Sequence, residues 1–180
     1  MLVKTYCAAV NGLDVTTVTI EVSLTKGVMF RMTGLGDTAV REGRDRMAAA
    51  LVNNGYLFPN ADITVNMAPA DLRKEGSGFD LPLAIGVLAA SKQIEPVGLD
   101  RIMLVGELGL DGALQPVKGA LPIAMRAKAD GFVALVVPQQ NVREAAVVEG
   151  IRVYGMSQMK EVISMITGQE RFQPVSVDTR

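Results

Sequence analysis

The sequence predicts a mixed α/β domain, of the α+β class. Three observations carry that expectation. The first third alternates apolar and polar residues with period two, as half-buried strands do. The stretch from Leu81 to Ala90 is apolar nearly all round, as a helix beneath a sheet is. From Ile102 onward, strand-like and helix-like stretches take turns.

In order along the chain, Val3 to Val10 is an apolar-rich strand. Leu13 to Leu24 is a second, with Val15, Val18, Ile20, Val22 and Leu24 set among Thr and Ser. Asn11-Gly12 is a strong turn dipeptide and predicts a hairpin between them. Lys26-Gly27 leads to a third strand, Val28 to Thr33. A helix follows, capped by Asp37 or Thr38 and stopped by Gly55. Val40, Met47, Ala48, Leu51 and Val52 form its apolar stripe. On its polar face, Arg41 with Asp45 and Glu42 with Arg46 are spaced to pair. Ile63 to Met67 is a strand ended by Pro69. Asp80 is expected to cap the buried helix, where Pro82 is tolerated in the first turn.

Ile102 to Val105 is the next strand, and Gly119 to Ala129 a helix stopped by Gly131. Phe132 to Val137 is a continuous apolar run, consistent with a central strand. Asn141 with Glu144 reads as a capping box for a helix ending at Gly150. Ile151 to Tyr154 is a short strand. Ser157 is expected to cap a last helix that runs to Thr167. These elements make one domain, residues 1–168. Residues 169–180 show no periodicity and read as a linker or tail.

Composition narrows the function. The chain has 180 residues and a formal charge of -1, so no overall field draws it to nucleic acid. Aromatics are 4% and there are ten Met, so the core must be aliphatic and methionine-filled. The absence of His excludes Ser-His-Asp and Cys-His catalysis, and a single Cys besides argues against a zinc site. Cys7 sits in an apolar run and reads as a core residue. No apolar run nears the ~18 residues of a membrane span, and no signal peptide is evident. A cytoplasmic protein with no membrane partner is expected.

Motifs narrow it further. There is no Gly-Lys dipeptide, hence no G-x-x-x-x-G-K-[ST] phosphate loop. Gly34-Leu35-Gly36 is a tight turn rather than an anion cradle, since Asp37 beside it repels phosphate. Asp71, Glu75 and Asp80 lack the alternate spacing of a calcium loop, so no metal is expected. No cofactor is expected to bind this chain.

Two segments resemble Lon-type protease domains. Gly106-Glu107-Leu108-Gly109-Leu110-Asp111-Gly112-Ala113-Leu114-Gln115-Pro116-Val117-Lys118-Gly119 is similar to the G-E-x-x-L-x-G-x-x-x-P-[IV]-x-G run of those enzymes. Lys74-Glu75-Gly76-Ser77-Gly78-Phe79-Asp80 is similar to their K-D-G-P-S-A-G run. The resemblance sets the nucleophilic serine on Gly78 and the general-base lysine on Leu121. Neither residue can do that chemistry. Ser77 is one place off the nucleophile and Lys118 three places off the base. A serine–lysine dyad needs its oxygen and nitrogen about 3 Å apart and a desolvated lysine.

A closer resemblance spans nearly the whole chain. Residues 34–46, GLGDTAVREGRDR, are similar to the G-L-P-[DE]-x-A-V-x-E-[SA]-[RK]-[DE]-R segment of ComM/YifB proteins, with Gly36 in place of the usual proline. Residues 63–82, ITVNMAPADLRKEGSGFDLP, are similar to that family's I-T-V-N-L-A-P-A-D-[LI]-x-K-E-G-x-x-[FY]-D-L-P. The resemblance implies a two-layer sandwich of the Lon protease and ribosomal-protein domain-2-like type. That fold contains a left-handed strand-helix-strand crossover, against the usual handedness. It implies an N-terminal domain joined to a magnesium-chelatase-like AAA+ ATPase module. The module, which would follow Arg180, supplies ATP and magnesium binding. Homo-oligomeric rings, and DNA processing in natural transformation through the parent protein, are implied as well. A non-catalytic assembly or substrate-engagement domain is thus expected. Its contacts would lie on Arg41, Arg44 and Arg46 or on Arg73, Lys74 and Glu75, although Glu42 and Asp45 partly neutralise the first group. The alternatives are a Ser77–Lys118 peptidase and a magnesium-chelatase accessory domain that binds porphyrin.

Overall fold

The structure, a computed structural model, describes residues 1–178. Nine strands and five helices are formed among them, with the strands in two main sheets, one per layer, and a short two-stranded hairpin. The first sheet has the order β1-β2-β4-β3: β1 (Leu2–Asn11), β2 (Asp14–Thr25), β3 (Phe30–Thr33) and β4 (Asp62–Ala68). Its register explains its sequence. Thr5, Ile20 and Met67 share one rung, and Val3, Val22, Val65 and Met32 another, so the apolar alternation of each strand lands on one face. Helix α1 (Thr38–Asn53) connects the parallel strands β3 and β4. Helix α2 (Asp80–Ala90), buried along its whole length as expected, packs on β1, β2 and α1.

The second sheet is wholly parallel, in the order β5-β8-β9: β5 (Ile102–Leu104), β8 (Ala134–Pro138) and β9 (Arg152–Met156). Helices α3 (Ala120–Ala129), α4 (Val142–Ala146) and α5 (Met159–Ile166) connect and flank its strands. β8 is buried at every position, which is why its sequence shows no alternation. A single apolar core runs through both layers.

Several local expectations are corrected. The hairpin turn is Gly12-Leu13, one residue later than Asn11-Gly12, because Asn11 pairs with Asp14 and Gly12 takes the left-handed φ of 64°. Strand β3 begins at Phe30, not Val28. In α1, Asp37 is the cap, accepting from the Val40 N–H at 2.8 Å, but Val52 faces solvent. Arg41 does not pair with Asp45; it donates to the Gly36 carbonyl, while Asp45 pairs with Arg44. Asp80 is the first residue of α2, and its carboxylate is spent on other partners. Asn141 and Glu144 form no capping box. The Asn141 amide bonds the Val117 N–H and C=O, each at 2.9 Å, and Glu144 accepts from the Leu121 N–H. Helix α4 stops at Ala146, short of the expected end at Gly150. The box in α5 is Gln158 with Glu161 rather than a Ser157 cap.

One hairpin was not foreseen: β6 (Glu107–Leu108) with β7 (Leu114–Gln115). Two-residue strands are too short to show a period. Residues 169–178 form no helix or strand, but the Val175 N–H donates to the Val153 carbonyl at 2.8 Å, and Phe172 and Val175 pack on the core.

Candidate functional site

The segments singled out above meet at a cleft of about 520 Å³ between the two layers. The end of β1 (Ala8, Val10), the Glu75–Phe79 loop, Val105, Pro116 to Lys118, and Ile123 of α3 line it. Its lining mixes apolar side chains with polar groups, and Asp37, Glu75 and Lys118 supply its charge.

The 74–78 loop is held from both sides. Its N-terminal half pairs with the turn before α1: the Lys74 N–H donates to the Leu35 carbonyl at 2.9 Å and the Asp37 N–H to the Lys74 carbonyl at 3.0 Å. Asp37 holds both elements, capping α1 with one oxygen and accepting from the Gly76 N–H with the other at 3.3 Å. At the other end, the Gly106 N–H donates to the Gly78 carbonyl at 2.9 Å, and the Leu81 N–H to the Gly106 carbonyl at 3.0 Å. The opposite wall is fixed by the Asn141 clamp on Val117.

Lys74 is not a surface contact residue, which corrects the sequence expectation. It is wholly buried, and its ammonium donates to three carbonyls: Gly34 at 2.7 Å, Met67 at 2.8 Å, and Pro69. All three ammonium hydrogens have partners, so the side chain staples the loop to the strand ends around it. Burial pulls its pKa down, and Asp71 pushes it back up.

Arg46 is likewise no free contact residue. Its Nε meets Asp80 Oδ2 at 2.6 Å, and Nη2 meets Oδ1 at 3.0 Å and the Ala39 carbonyl at 2.7 Å. The Leu108 N–H adds a third donor to Asp80 at 3.0 Å, tying α1, α2 and β6 together. Burial pushes the Asp80 carboxyl up, and Arg46 and the Leu108 N–H pull it down. Gly43 is required beside this pair, since a Cβ there would lie 2.5 Å from Asp80 Oδ1.

Of the other residues named from sequence, Arg44 is packed between the rings of Phe30 and Phe58, at 5.4 and 5.2 Å, and Arg73 and Glu75 form an exposed pair at 3.3 Å. Arg41 is exposed. Ser77, Gly78 and Lys118 all line the cleft, whereas Leu121 does not. Among the described residues no hydrogen bond joins Ser77 to Lys118, and Lys118 is exposed. Gly78 is not demanded by the fold. Its φ is not left-handed, and an added Cβ would meet Val105 Cγ1 and Val117 Cγ1 at 3.5 Å, an ordinary contact. The Asn141 clamp was missed in the sequence because an Asn before a helix looks first like a cap.

A mixed α+β fold with its two signature loops converging on one cleft defines a Lon-protease-like domain. Lon protease 2 of Bacillus subtilis is 26% identical over 107 residues, which cover 58% of this chain and 19% of that protein. The family model described as subunit ChlI of Mg-chelatase matches residues 20–141, and the chain belongs to that family. Similar curated proteins include the competence protein ComM of Haemophilus influenzae, 40% identical over 167 residues, or 92% of this chain and 33% of that one. YifB of Escherichia coli is 39% identical over 176 residues, 96% of this chain and 35% of YifB. A Mycobacterium tuberculosis protein is 41% identical over 92% of this chain and 33% of its own. The chain thus spans about a third of the length of these relatives. Among the described residues, no helix is long and apolar enough to cross a membrane.

Proposed function

We propose that residues 1–168 are a non-catalytic N-terminal domain of a magnesium-chelatase-like AAA+ ATPase that handles DNA in the cytoplasm, where the domain serves ring assembly or substrate engagement. The observation that carries this reading is the cleft. It is lined by the loop that resembles the protease nucleophile run, and that resemblance sets the nucleophile on Gly78, where an added Cβ would make ordinary contacts at 3.5 Å. The partners on this reading are the chain's own ATPase module, other copies in a homo-oligomeric ring, and DNA. ATP and magnesium belong to the module, since this sequence has no phosphate loop. The name competence protein, carried by a relative at 40% identity, supports the DNA reading.

The test compares the parent protein with a form lacking residues 1–168, by oligomer mass and by DNA-stimulated ATP hydrolysis. Impaired assembly or altered stimulation is expected. Unchanged assembly and activity would refute the proposal. The second reading, a Ser77–Lys118 peptidase, rests on both side chains lining one cleft.

A further inference from the structure

We infer that the end of the β5-β8-β9 sheet at which its strands begin binds the sugar–phosphate backbone of a single nucleic-acid strand. The choice of nucleic acid over other polyanions rests on the DNA-handling reading above; the surface itself is read from geometry.

Arg101 precedes β5, Arg152 opens β9, and Lys128 lies in the last turn of α3. The Val133 N–H donates to the Arg101 carbonyl at 3.0 Å and the Arg152 N–H to the Val133 carbonyl at 3.1 Å, so these residues lie just before or at the start of three neighbouring strands, at one sheet end. The two arginines are therefore about 10 Å apart along the backbone ladder, two inter-strand spacings. Two depressions of about 620 and 300 Å³ meet there and share Val133 and Arg152. Lys128 lines the first and Arg101 the second, and no carboxylate lines either.

The three cations are exposed and, among the described residues, form no ion pair. Among the described residues, the neighbouring acids Asp100, Asp130 and Glu149 form no ion pair with them. Asp130 is held by Arg126 at 3.1 Å and by the Thr17 hydroxyl, while Asp100 and Glu149 lie outside both depressions. This distinguishes the surface from the Arg41–Arg46 face, where Arg44 and Arg46 already have carboxylate partners. Phe132, braced by Tyr6 at 5.4 Å between ring centroids, and the half-exposed Val133 form an apolar ledge between the cations. Separated cations around an apolar, partly aromatic ledge match a flexible strand, whose phosphates and bases can be met separately.

The experiment measures binding of a labelled oligo(dT) to the 180-residue chain by fluorescence anisotropy at several salt concentrations. The site variant is Arg101→Ala/Lys128→Ala/Arg152→Ala. The control is Lys4→Ala/Lys26→Ala/Arg143→Ala, which removes the same charge from exposed positions elsewhere. At about 0.7 counterions per phosphate on a single strand, three lost contacts make the log–log salt slope shallower by about 2. Between about 50 and 200 mM salt the original chain then loses about 20-fold more affinity than the site variant. The control variant should keep a slope close to the original. Three results would overturn the inference: no oligonucleotide binding by the original chain, equal effects of the two variants, or binding of labelled polyglutamate that oligo(dT) does not displace. None of these bears on ring assembly or on the parent protein's DNA-stimulated ATP hydrolysis, which the deletion of residues 1–168 tests separately.

Discussion

Lys74 shows how a charged side chain becomes structural. Its ammonium meets the carbonyls of Gly34, Met67 and Pro69, the last of which otherwise accepts only a long bond of 3.4 Å from the Leu72 N–H among the described residues. Replacing it with Met withdraws three charged donors from these carbonyls at once. Lys74→Met should cost at least about 3 kcal/mol, at about 1 kcal/mol or more for each carbonyl. Arg73→Ala, at an exposed pair, should stay within about 0.5 kcal/mol. Denaturant titration measures both, and similar costs for the two would contradict the staple. Cys7 is a second buried group with a testable sign. Burial pushes its thiol from the ordinary 9.0 up to about 12. The unfolded chain therefore loses this proton first as pH rises. The thiol's contribution to stability is fully present below about pH 9 and declines from there toward about pH 12. Over that range the original chain should lose more stability than Cys7→Ala, and parallel losses would contradict the assignment.

At the scale of elements, the Arg46–Asp80 pair decides how α1 sits against α2 and β6. Asp80 is 1% exposed, so removing Arg46 leaves a buried carboxylate with only the Leu108 N–H. Arg46→Met should cost about 3–5 kcal/mol, and Arg46→Met/Asp80→Leu should recover most of it. A double variant as unstable as the single would show that the charge pair itself is needed. The pair also marks where sequence reading stops. Period-two and all-apolar patterns revealed β1, β2, β4, α2 and β8, because each buries one face or all of itself. Arg46 and Asp80 are 34 residues apart, and nothing in either neighbourhood announces their contact. Asp80, Asn141 and Glu144 were read as cap residues for the same reason. Their local chemistry fits a cap, but distant groups claim their side chains first: the Arg46 guanidinium and the Leu108 N–H for Asp80, and backbone groups for Asn141 and Glu144.

For the whole molecule, the loops that form the cleft were legible and its walls were not. The runs at 74–80 and 106–119 pointed to one site, and both reach it. That β1 and α3 would close it, and that Leu121 would fall outside, depended on packing between layers. Gly78→Ser probes the site directly. With 3.5 Å to Val105 and Val117, the variant should fold with a stability within about 1 kcal/mol of the original. A larger loss would mean that the fold itself demands glycine there. The most direct test of the central claim is casein or self-cleavage by the purified chain, measured beside Ser77→Ala. The account predicts no cleavage that depends on Ser77. Cleavage that disappears in Ser77→Ala would establish a working hydroxyl in the cleft and contradict it.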